Sequence, residues 1–191
     1  MARTLADGRR EELLDGVMAI ISAQGFASTR VADIARDLNC SGSTLYKIAP
    51  NKDSLVVLAI GRWGEQTLEY CEARAQKGAA ASDAARNFWR AAAERVRPMS
   101  HAFRVDMERF ESSRIAYLAV SHRFIDRFVQ LLDDAVAAGE IAPVSTRFMA
   151  TALRQMAMLV RDEQLLTESG ITAEQAMLQL DQMIWSGLRT Q

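Results

Sequence analysis

The sequence predicts an all-α protein with a small N-terminal helix-turn-helix domain, residues 1–50. A long fourth helix joins it to a C-terminal helical domain, and the two together span residues 51–191. Apolar residues recur every three or four positions along most of the chain, as in amphipathic helices, and no segment alternates strictly like a strand. Only three residues are proline, so few positions interrupt a helix. Between residues 29 and 49, two short helical patterns flank a tight polar corner, which indicates the helix-turn-helix.

The first helix is predicted to run from about Arg9 to Gln24. Apolar residues such as Leu13 and Val17 form its inner face, and Gly25 follows as a residue that commonly ends a helix. We expect this helix to pack against the next two helices and complete the small three-helix N-terminal core.

The helix-turn-helix is predicted from apolar spacing and capping residues. Its first helix has four apolar residues at the spacing i, i+3, i+4 and i+7, preceded by a threonine as the predicted N-cap. These are Val31, Ile34, Ala35 and Leu38, after Thr29. Ser41 is placed to cap the very short second helix, and Pro50 ends that helix by disfavouring helical geometry at Ala49.

Six longer or shorter helices follow in the predicted order. Asn51 is the expected cap of the fourth helix, from about Lys52 to Gln76, and either close packing or a hinge would explain its internal Gly61 and Gly64. Four of the later helices open with residues that favour N-caps. These are Ser82, Ser112 or Ser113, Ser145, and Thr172 with Gln175 three positions later.

Charge gives little support for nucleic-acid binding. The formal net charge of the chain is −1, and residues 1–52 contain seven lysine and arginine residues against six aspartate and glutamate residues. A domain this close to neutral is expected to bind DNA non-specifically only weakly, because phosphate neutralisation provides most of that affinity.

Composition argues against several other classes. No apolar run is long enough for a transmembrane helix or a signal peptide. The two histidines, His101 and His122, and the two cysteines, Cys40 and Cys71, form no metal-ligand pattern, and no phosphate-binding or nucleophile motif occurs. We therefore expect a cytoplasmic protein that is not an enzyme and needs no cofactor.

Three stretches together resemble the N-terminal domain of TetR-family transcriptional regulators. They are Thr29-x-x-x-Asp33-Ile34-Ala35, Ser41-Gly42-Ser43-Thr44-Leu45-Tyr46 and Pro50-x-Lys52-x-x-Leu55. The similarity covers residues 9 to 60, about a third of the chain. One departure is Ile48-Ala49, where the family usually has an aromatic residue or histidine followed by phenylalanine, and it predicts thinner packing against the fourth helix.

The resemblance implies a homodimer that binds a palindromic double-stranded DNA operator and is released by a small-molecule effector. The expected DNA contacts are Thr29, Arg30, Ser41, Gly42, Ser43, Thr44, Tyr46, Lys47 and Lys52. Gly42, Ser43 and Thr44 would face base edges, and Thr29, Tyr46, Lys47 and Lys52 would hold phosphates. Long side chains are absent at positions 42 and 43, so specificity is expected to depend on Lys47, Arg30 and DNA shape.

The C-terminal domain is expected to bind the effector and to form the dimer. Large rings and thioethers on its helices can line an apolar pocket or simply pack a core. These candidates are Trp63, Tyr70, Phe88, Trp89, Phe103, Met107, Phe110, Tyr117 and Phe124. The last two helices carry wide apolar faces, which favour pairing with a second copy. The interface candidates are Leu153, Met156, Val160, Leu180, Met183, Ile184 and Leu188.

Two alternatives remain open at this stage. One is a DNA-binding activator of the same fold that has no effector. The other is a helical protein-interaction module whose helix-turn-helix has lost DNA binding, which the near-neutral N-terminal segment would permit.

Overall fold

The computed structural model describes residues 5–159 and 162–188 and confirms the all-α prediction. Within these residues the chain forms ten α-helices. In chain order they are α1 Leu5–Gln24, α2 Val31–Asp37, α3 Gly42–Ile48, α4 Lys52–Ala75, α5 Ala81–Val96, α6 His101–Arg109, α7 Glu111–Ala137, α8 Thr146–Leu159, α9 Glu163–Ser169 and α10 Ala173–Leu188. None of the helices in these ranges has the length and apolar character needed to cross a lipid bilayer.

The first helix, α1, begins about one turn earlier than predicted and ends at Gln24 as predicted. Gly25 follows with a φ of +80°, and its N–H donates to the carbonyl of Ile21 at 2.8 Å. This left-handed conformation suits glycine, which has no Cβ to clash with the backbone. Gly25 therefore ends α1 and turns the chain toward the helix-turn-helix.

Helices α2 and α3 confirm the predicted helix-turn-helix, with one correction at its start. Ser41 caps α3 as predicted: its hydroxyl accepts from the N–H of Thr44 at 3.2 Å. The N-cap of α2 is Arg30 and not Thr29, and no described side chain caps that helix. The prediction of Thr29 as the cap is wrong because its hydroxyl donates instead to the carbonyl of Gly25.

Asn51 caps α4 as predicted, since its side-chain oxygen accepts from the N–H of Ser54 at 2.8 Å. The two glycines inside α4 differ in their surroundings. A Cβ added at Gly64 would lie 2.8 Å from Cγ1 of Val120 on α7 and still closer to Cγ2, whereas one at Gly61 would meet no described atom within 4 Å. Close packing therefore accounts for Gly64 but not for Gly61.

The chain divides into two compact units. Unit 1 comprises the described residues through Glu69 together with Glu94–His122, and unit 2 comprises Tyr70–Ala93 and the described residues from Arg123 onward. Helices α4, α5 and α7 each contribute residues to both units. The predicted division at residue 50 separates the chain by function and not by compactness, and it stays a prediction.

The core of unit 1 joins the helix-turn-helix to residues far along the chain. It contains buried apolar side chains of α1 to α4 packed with Met99, Phe103 and Met107. Leu45 of α3 and Ile34 of α2 have no exposed surface. The helix-turn-helix is therefore packed on a core that includes α6.

Unit 2 has an aromatic cluster and a buried ion cluster. Phe88 stacks on Phe124 with ring centroids 4.7 Å apart. Asp181 of α10 is 4% exposed and accepts from Arg86 at 2.6 Å and from Arg90 at 3.1 Å. Burial raises the pKa of Asp181, but the bonds from the two arginines outweigh it and hold the pKa below its ordinary value.

The later helices differ from the prediction by one additional helix and by the starts of α5 and α7. The short helix α9 was not predicted; Asp162 caps it, and Gly170 ends it with a φ of +65°. The predicted ninth helix is therefore α10, and its capping box between Thr172 and Gln175 is confirmed. Ser82 does not cap the fifth helix, because α5 already begins at Ala81.

Two consecutive amides at the start of α5 donate to a carboxylate instead. The N–H groups of Ala81 and Ser82 bond to Glu140 at 3.2 and 2.7 Å. These bonds lower the pKa of Glu140, the largest cause being the backbone bond from Ser82. The seventh helix likewise begins earlier than Ser112, at Glu111.

Candidate nucleic-acid interface

Helix α3 buries one side and exposes the other. Leu45 is fully buried, Ala49 directly after the helix is 3% exposed, and Ile48 packs against the same core. The opposite side carries Gly42, Ser43, Tyr46 and Lys47, whose spacing i, i+1, i+4, i+5 puts them on one face. We call these four residues the exposed face of α3. The hydroxyl, ring and ammonium groups of this face lie at the surface, where DNA can approach them.

The N-terminal end of α3 carries a local hydroxyl network. The Oγ of Ser41 lies 2.7 Å from Oγ of Ser43 and 2.8 Å from Oγ1 of Thr44. The hydroxyl of Ser41 also accepts from the N–H of Thr44 and so uses its full capacity. The hydroxyls of Ser43 and Thr44 keep further capacity and can hydrogen-bond outward. A Cβ added at Gly42 would meet no described atom within 4 Å, which leaves this end of the helix unobstructed.

Tyr46 and Lys47 are the largest side chains of the exposed face. Tyr46 is 54% exposed, so its ring and hydroxyl can contact a partner. Lys47 is also exposed, and it lies in the last turn of the helix. Together they offer a hydroxyl and a cation to phosphate groups.

Two predicted phosphate contacts have internal partners instead. The hydroxyl of Thr29 is bonded to Gly25, and the residue is 9% exposed. The ammonium of Lys52 donates to the carbonyls of Phe26, Ala27 and Thr29 at 2.9, 3.1 and 3.1 Å. An ammonium has three donors, so these bonds use its full capacity. This geometry favours a structural role for Lys52 over the predicted phosphate contact. Arg30, another predicted DNA contact, is exposed.

The sequence analysis missed Asp106 of α6. Its Oδ2 accepts from the N–H groups of Phe26 and Ala27 at 2.6 and 2.8 Å. Asp106 is 7% exposed although it stands between apolar positions of a short helix. Apolar spacing identified Phe103 and Met107 on the same helix, but a partner about 80 residues away leaves no pattern in the local sequence.

The nine pocket candidates fall into two groups. Trp63, Phe103, Met107, Phe110 and Tyr117 belong to unit 1, and Tyr70, Phe88, Trp89 and Phe124 belong to unit 2. Phe103 and Phe110 pack on the ring of Phe26, and Trp63 stacks on Tyr117. These contacts give the unit 1 group a core-packing role. Their predicted role in effector binding is not tested by the structure.

The interface candidates also separate. Leu153, Ile184 and Leu188 are buried within unit 2 at 1%, 7% and 5% exposure, because their side chains complete its core. Met183 is 59% exposed, and Met156 and Leu180 are half-buried. Val160 lies outside the described residues. Three further apolar residues of α8 and α10 are exposed, namely Phe148 (70%), Leu159 (56%) and Leu178 (59%).

No group of three or more histidine, cysteine, aspartate or glutamate side chains in the described part of the chain is arranged to hold a metal ion. Of the two cysteines, Cys71 is buried and Cys40 is partly exposed.

The helix-turn-helix lies within a segment that matches a known protein family. Residues 13–59 match the sequence model of bacterial regulatory proteins of the tetR family. This range contains most of α1, all of α2 and α3, and the start of α4. No curated protein matches the chain.

Solved structures share the fold along the whole chain. A protein from Saccharomonospora viridis, described as a transcriptional regulator and solved in complex with choline, is 16% identical with a TM-score of 0.80, covering 96% of this chain and 99% of its own. The reduced form of NemR from E. coli is 13% identical with a TM-score of 0.77, covering 95% and 98%.

A third similar structure is the ketosteroid transcriptional regulator KstR2 of Mycobacterium tuberculosis. It is 17% identical with a TM-score of 0.62 and covers 100% of this chain and 98% of its own. Identities this low support the fold and not a shared ligand. The chain therefore carries the N-terminal domain of the tetR family of bacterial regulatory proteins at residues 13–59 and has the fold of these solved transcriptional regulators.

Proposed function

We propose that this protein is a homodimeric transcriptional repressor that binds a palindromic operator and is released by a small, largely apolar ligand. The observation that supports DNA reading most directly is the exposed face of α3, with Tyr46 54% exposed beside Lys47 and Ser43. In a helix-turn-helix the second helix enters the major groove with its N-terminal end, and this end is small, polar and unobstructed.

The structure supports different roles for different predicted contacts. Gly42 permits close approach, and Ser43 and Thr44 can hydrogen-bond to base edges or backbone. Tyr46, Lys47 and Arg30 are the candidates for phosphate contacts, because all three are exposed. Few bidentate base contacts are available, so operator choice would depend substantially on DNA shape.

The exposed apolar residues of α8 and α10 support the homodimer. Phe148 and Met183 expose 70% and 59% of their surface in the single chain. Water contact with such large apolar side chains is unfavourable, by about 25 cal/mol for each Å² exposed. Pairing α8 and α10 with their copies in a second chain would cover them, and a two-fold dimer would hold two α3 helices for two half-sites.

The effector proposal depends on aromatic side chains. The rings of Phe88, Phe124 and Trp89 stack on one another or on Phe128 within unit 2. Aromatic rings that line a cavity bind apolar groups and also quaternary ammonium ions. A similar structure was solved with choline, so choline is a reasonable probe beside aromatic compounds. We propose further that the protein acts in the cytoplasm, without a cofactor and without enzymatic activity.

The first test is selection of random duplex DNA by the purified protein at about 100 mM salt. We expect one enriched palindrome, whose log affinity falls with log salt by about 0.9 for each phosphate contact. Addition of choline and of apolar aromatic compounds to that complex tests release. An activator without an effector would bind the same palindrome but show no release with any compound.

The first prediction concerns Tyr46 and Lys47. The double variant Tyr46→Ala/Lys47→Ala should weaken binding to the selected duplex by a hundredfold or more, about 2.7 kcal/mol, and reduce the salt slope by about 1. The control is Lys77→Ala, an exposed lysine after α4, which should leave affinity within about twofold. Equal affinity of the double variant and the wild type would contradict α3 as the reading helix.

A folded protein that enriches no duplex would support the alternative function, a helical protein-interaction module. The specific observation behind that alternative is the near-neutral segment 1–52, with seven cationic residues against six anionic ones.

A further inference from the structure

The residues 25–29 between α1 and α2, here called the entry turn, are held by side chains from other helices. On one side, the N–H groups of Phe26 and Ala27 donate to Oδ2 of Asp106 on α6 at 2.6 and 2.8 Å. On the other side, Lys52 of α4 donates to three carbonyls of the same turn. The turn is thus fixed between an anion that accepts from its amides and a cation that donates to its carbonyls.

Helix α6 approaches the entry turn closely. A Cβ added at Gly25 would lie 2.7 Å from Oδ2 of Asp106 and 3.1 Å from Cβ of Ala102. In addition, the N–H of Ser100, the N-cap of α6, donates to the carbonyl of Ser22 near the end of α1 at 2.8 Å. One backbone bond and two carboxylate bonds therefore join α6 to the chain just before the helix-turn-helix.

The start of α2 depends on this turn. Arg30 is the N-cap of α2 in an extended conformation, and no described side chain caps the helix. The direction in which α2 leaves the turn is therefore set by the backbone of residues 25–29. Helix α3 follows α2 after a corner in which Cys40 N–H bonds to the carbonyl of Ala35 at 2.9 Å, so a change in α2 also moves α3.

We propose that Asp106 is a positioning residue for DNA binding: its carboxylate fixes the entry turn and thereby the placement of α2 and α3. Asp106 lies on α6, outside the matched residues 13–59. If it positions α2 and α3, the DNA-binding unit includes α6 as well as the matched residues. Without the carboxylate, the buried amide of Phe26 and the part-buried amide of Ala27 lose their acceptor, and the turn must shift to find others. The inference rests on the proposed DNA-binding function.

The experiment compares variants of the full chain on the selected duplex, well below the unfolding temperature of each variant. Asp106→Leu has a similar shape but no acceptor, and Asp106→Asn keeps one acceptor oxygen and so serves as the conservative rescue. Glu140→Leu is the matched control, because Glu140 also accepts from two consecutive backbone amides but does so at the start of α5 in unit 2.

The expected result is a loss of about tenfold or more in DNA affinity for Asp106→Leu, equivalent to about 1.4 kcal/mol, because the reading helices are no longer preorganised. Asp106→Asn and Glu140→Leu should stay within about threefold of the wild type. Amide hydrogen exchange of Phe26 and Ala27 should accelerate in Asp106→Leu and stay slow in Glu140→Leu. Circular dichroism reports whether each variant is folded under these conditions.

Wild-type affinity in Asp106→Leu would overturn the inference and leave the proposed function intact. Equal losses in Asp106→Leu and Glu140→Leu would also overturn it, because general destabilisation would then explain both. If Asp106→Leu does not fold, Gly25→Ala disturbs the same contact from the other side and should show the same loss; unchanged affinity there overturns the inference. A wild-type protein that selects no duplex would instead refute the proposed function itself.

Discussion

At the scale of single residues, Lys52 shows that a charge pattern does not reveal partners distant in the sequence. A cation in the first turn of a helix is unfavourable beside the helix dipole, and this led to the prediction of a phosphate partner. The structure gives Lys52 three carbonyl partners in the entry turn. Asp106 was missed for a related reason, since neither side chain's partner lies within its own helix. Ser41 and Asn51 were predicted correctly because a cap bonds within three residues of itself.

The predicted consequence for Lys52 is mainly a loss of stability. Lys52→Met keeps the apolar stem but leaves three carbonyls without their cationic donor, so the free energy of unfolding should fall by about 1.5–3 kcal/mol. For a chain of this size the melting temperature should fall by about 2–4 °C for each kcal/mol. Urea and thermal unfolding provide the measurement.

The matched control is Lys47→Met on the exposed face of α3. It should change stability by less than about 0.5 kcal/mol, as surface substitutions usually do, while weakening DNA binding. A Lys52→Met protein with wild-type stability and weakened DNA binding would restore the phosphate contact as the better explanation.

At the scale of helices, the sequence predicted most of the architecture, because apolar period and caps are local properties. The helix-turn-helix, the long α4 and the capping box of α10 were all recognisable in this way. Helix α9 was missed because its only apolar residues, Leu165 and Leu166, are adjacent and therefore show no helical period. The caps predicted for α2 and α5 were wrong because the hydroxyl of Thr29 bonds to the carbonyl of Gly25 in the entry turn, and the first amides of α5 bond to Glu140.

Helix packing predicts opposite effects for the two glycines of α4. Gly61→Ala should raise the free energy of unfolding by up to about 1 kcal/mol, because alanine favours the helix and the position is open. Gly64→Ala should lower it by about 1–3 kcal/mol, because the new methyl group overlaps the stiff side chain of Val120. Chemical denaturation of both variants checks the signs.

A second substitution makes the α4–α7 contact specific. Val120→Ala in the Gly64→Ala background should recover part of the lost stability, because the two residues interact directly. Stabilisation by Gly64→Ala, or equal effects of the two alanines, would contradict close packing as the reason for this glycine.

At the scale of the whole molecule, the burial of individual residues is what the sequence predicted least well. The apolar faces of α8 and α10 were recognised, but not which of their residues turn inward. Leu153 and Ile184 complete the core of unit 2, whereas Phe148 and Leu178 stay exposed. An amphipathic pattern identifies an apolar face but does not distinguish a face buried within the chain from one covered by a second chain.

The proposed dimer gives a prediction for these exposed residues. The double variant Phe148→Glu/Met183→Glu should be monomeric at micromolar concentration in sedimentation equilibrium, because pairing would bury two unpaired carboxylates. The matched control is Val105→Glu/Ile115→Glu, which changes two apolar residues of unit 1 with 46% and 56% exposure and should leave the dimer intact. A wild-type monomer, or dissociation in the control only, would contradict an interface through α8 and α10.

The bonds from Asp106 to the entry turn have a consequence for recombination between regulators of this fold. A crossover at residue 50 would transfer α1, α2 and α3 but leave behind the carboxylate that accepts from Phe26 and Ala27. We therefore expect the exchangeable module to be discontinuous in the gene and to consist of the segment through Glu69 together with Glu94–His122. Chimeras that carry both segments should inherit the donor's operator preference intact, whereas chimeras built from the first segment alone inherit a reading helix without its support.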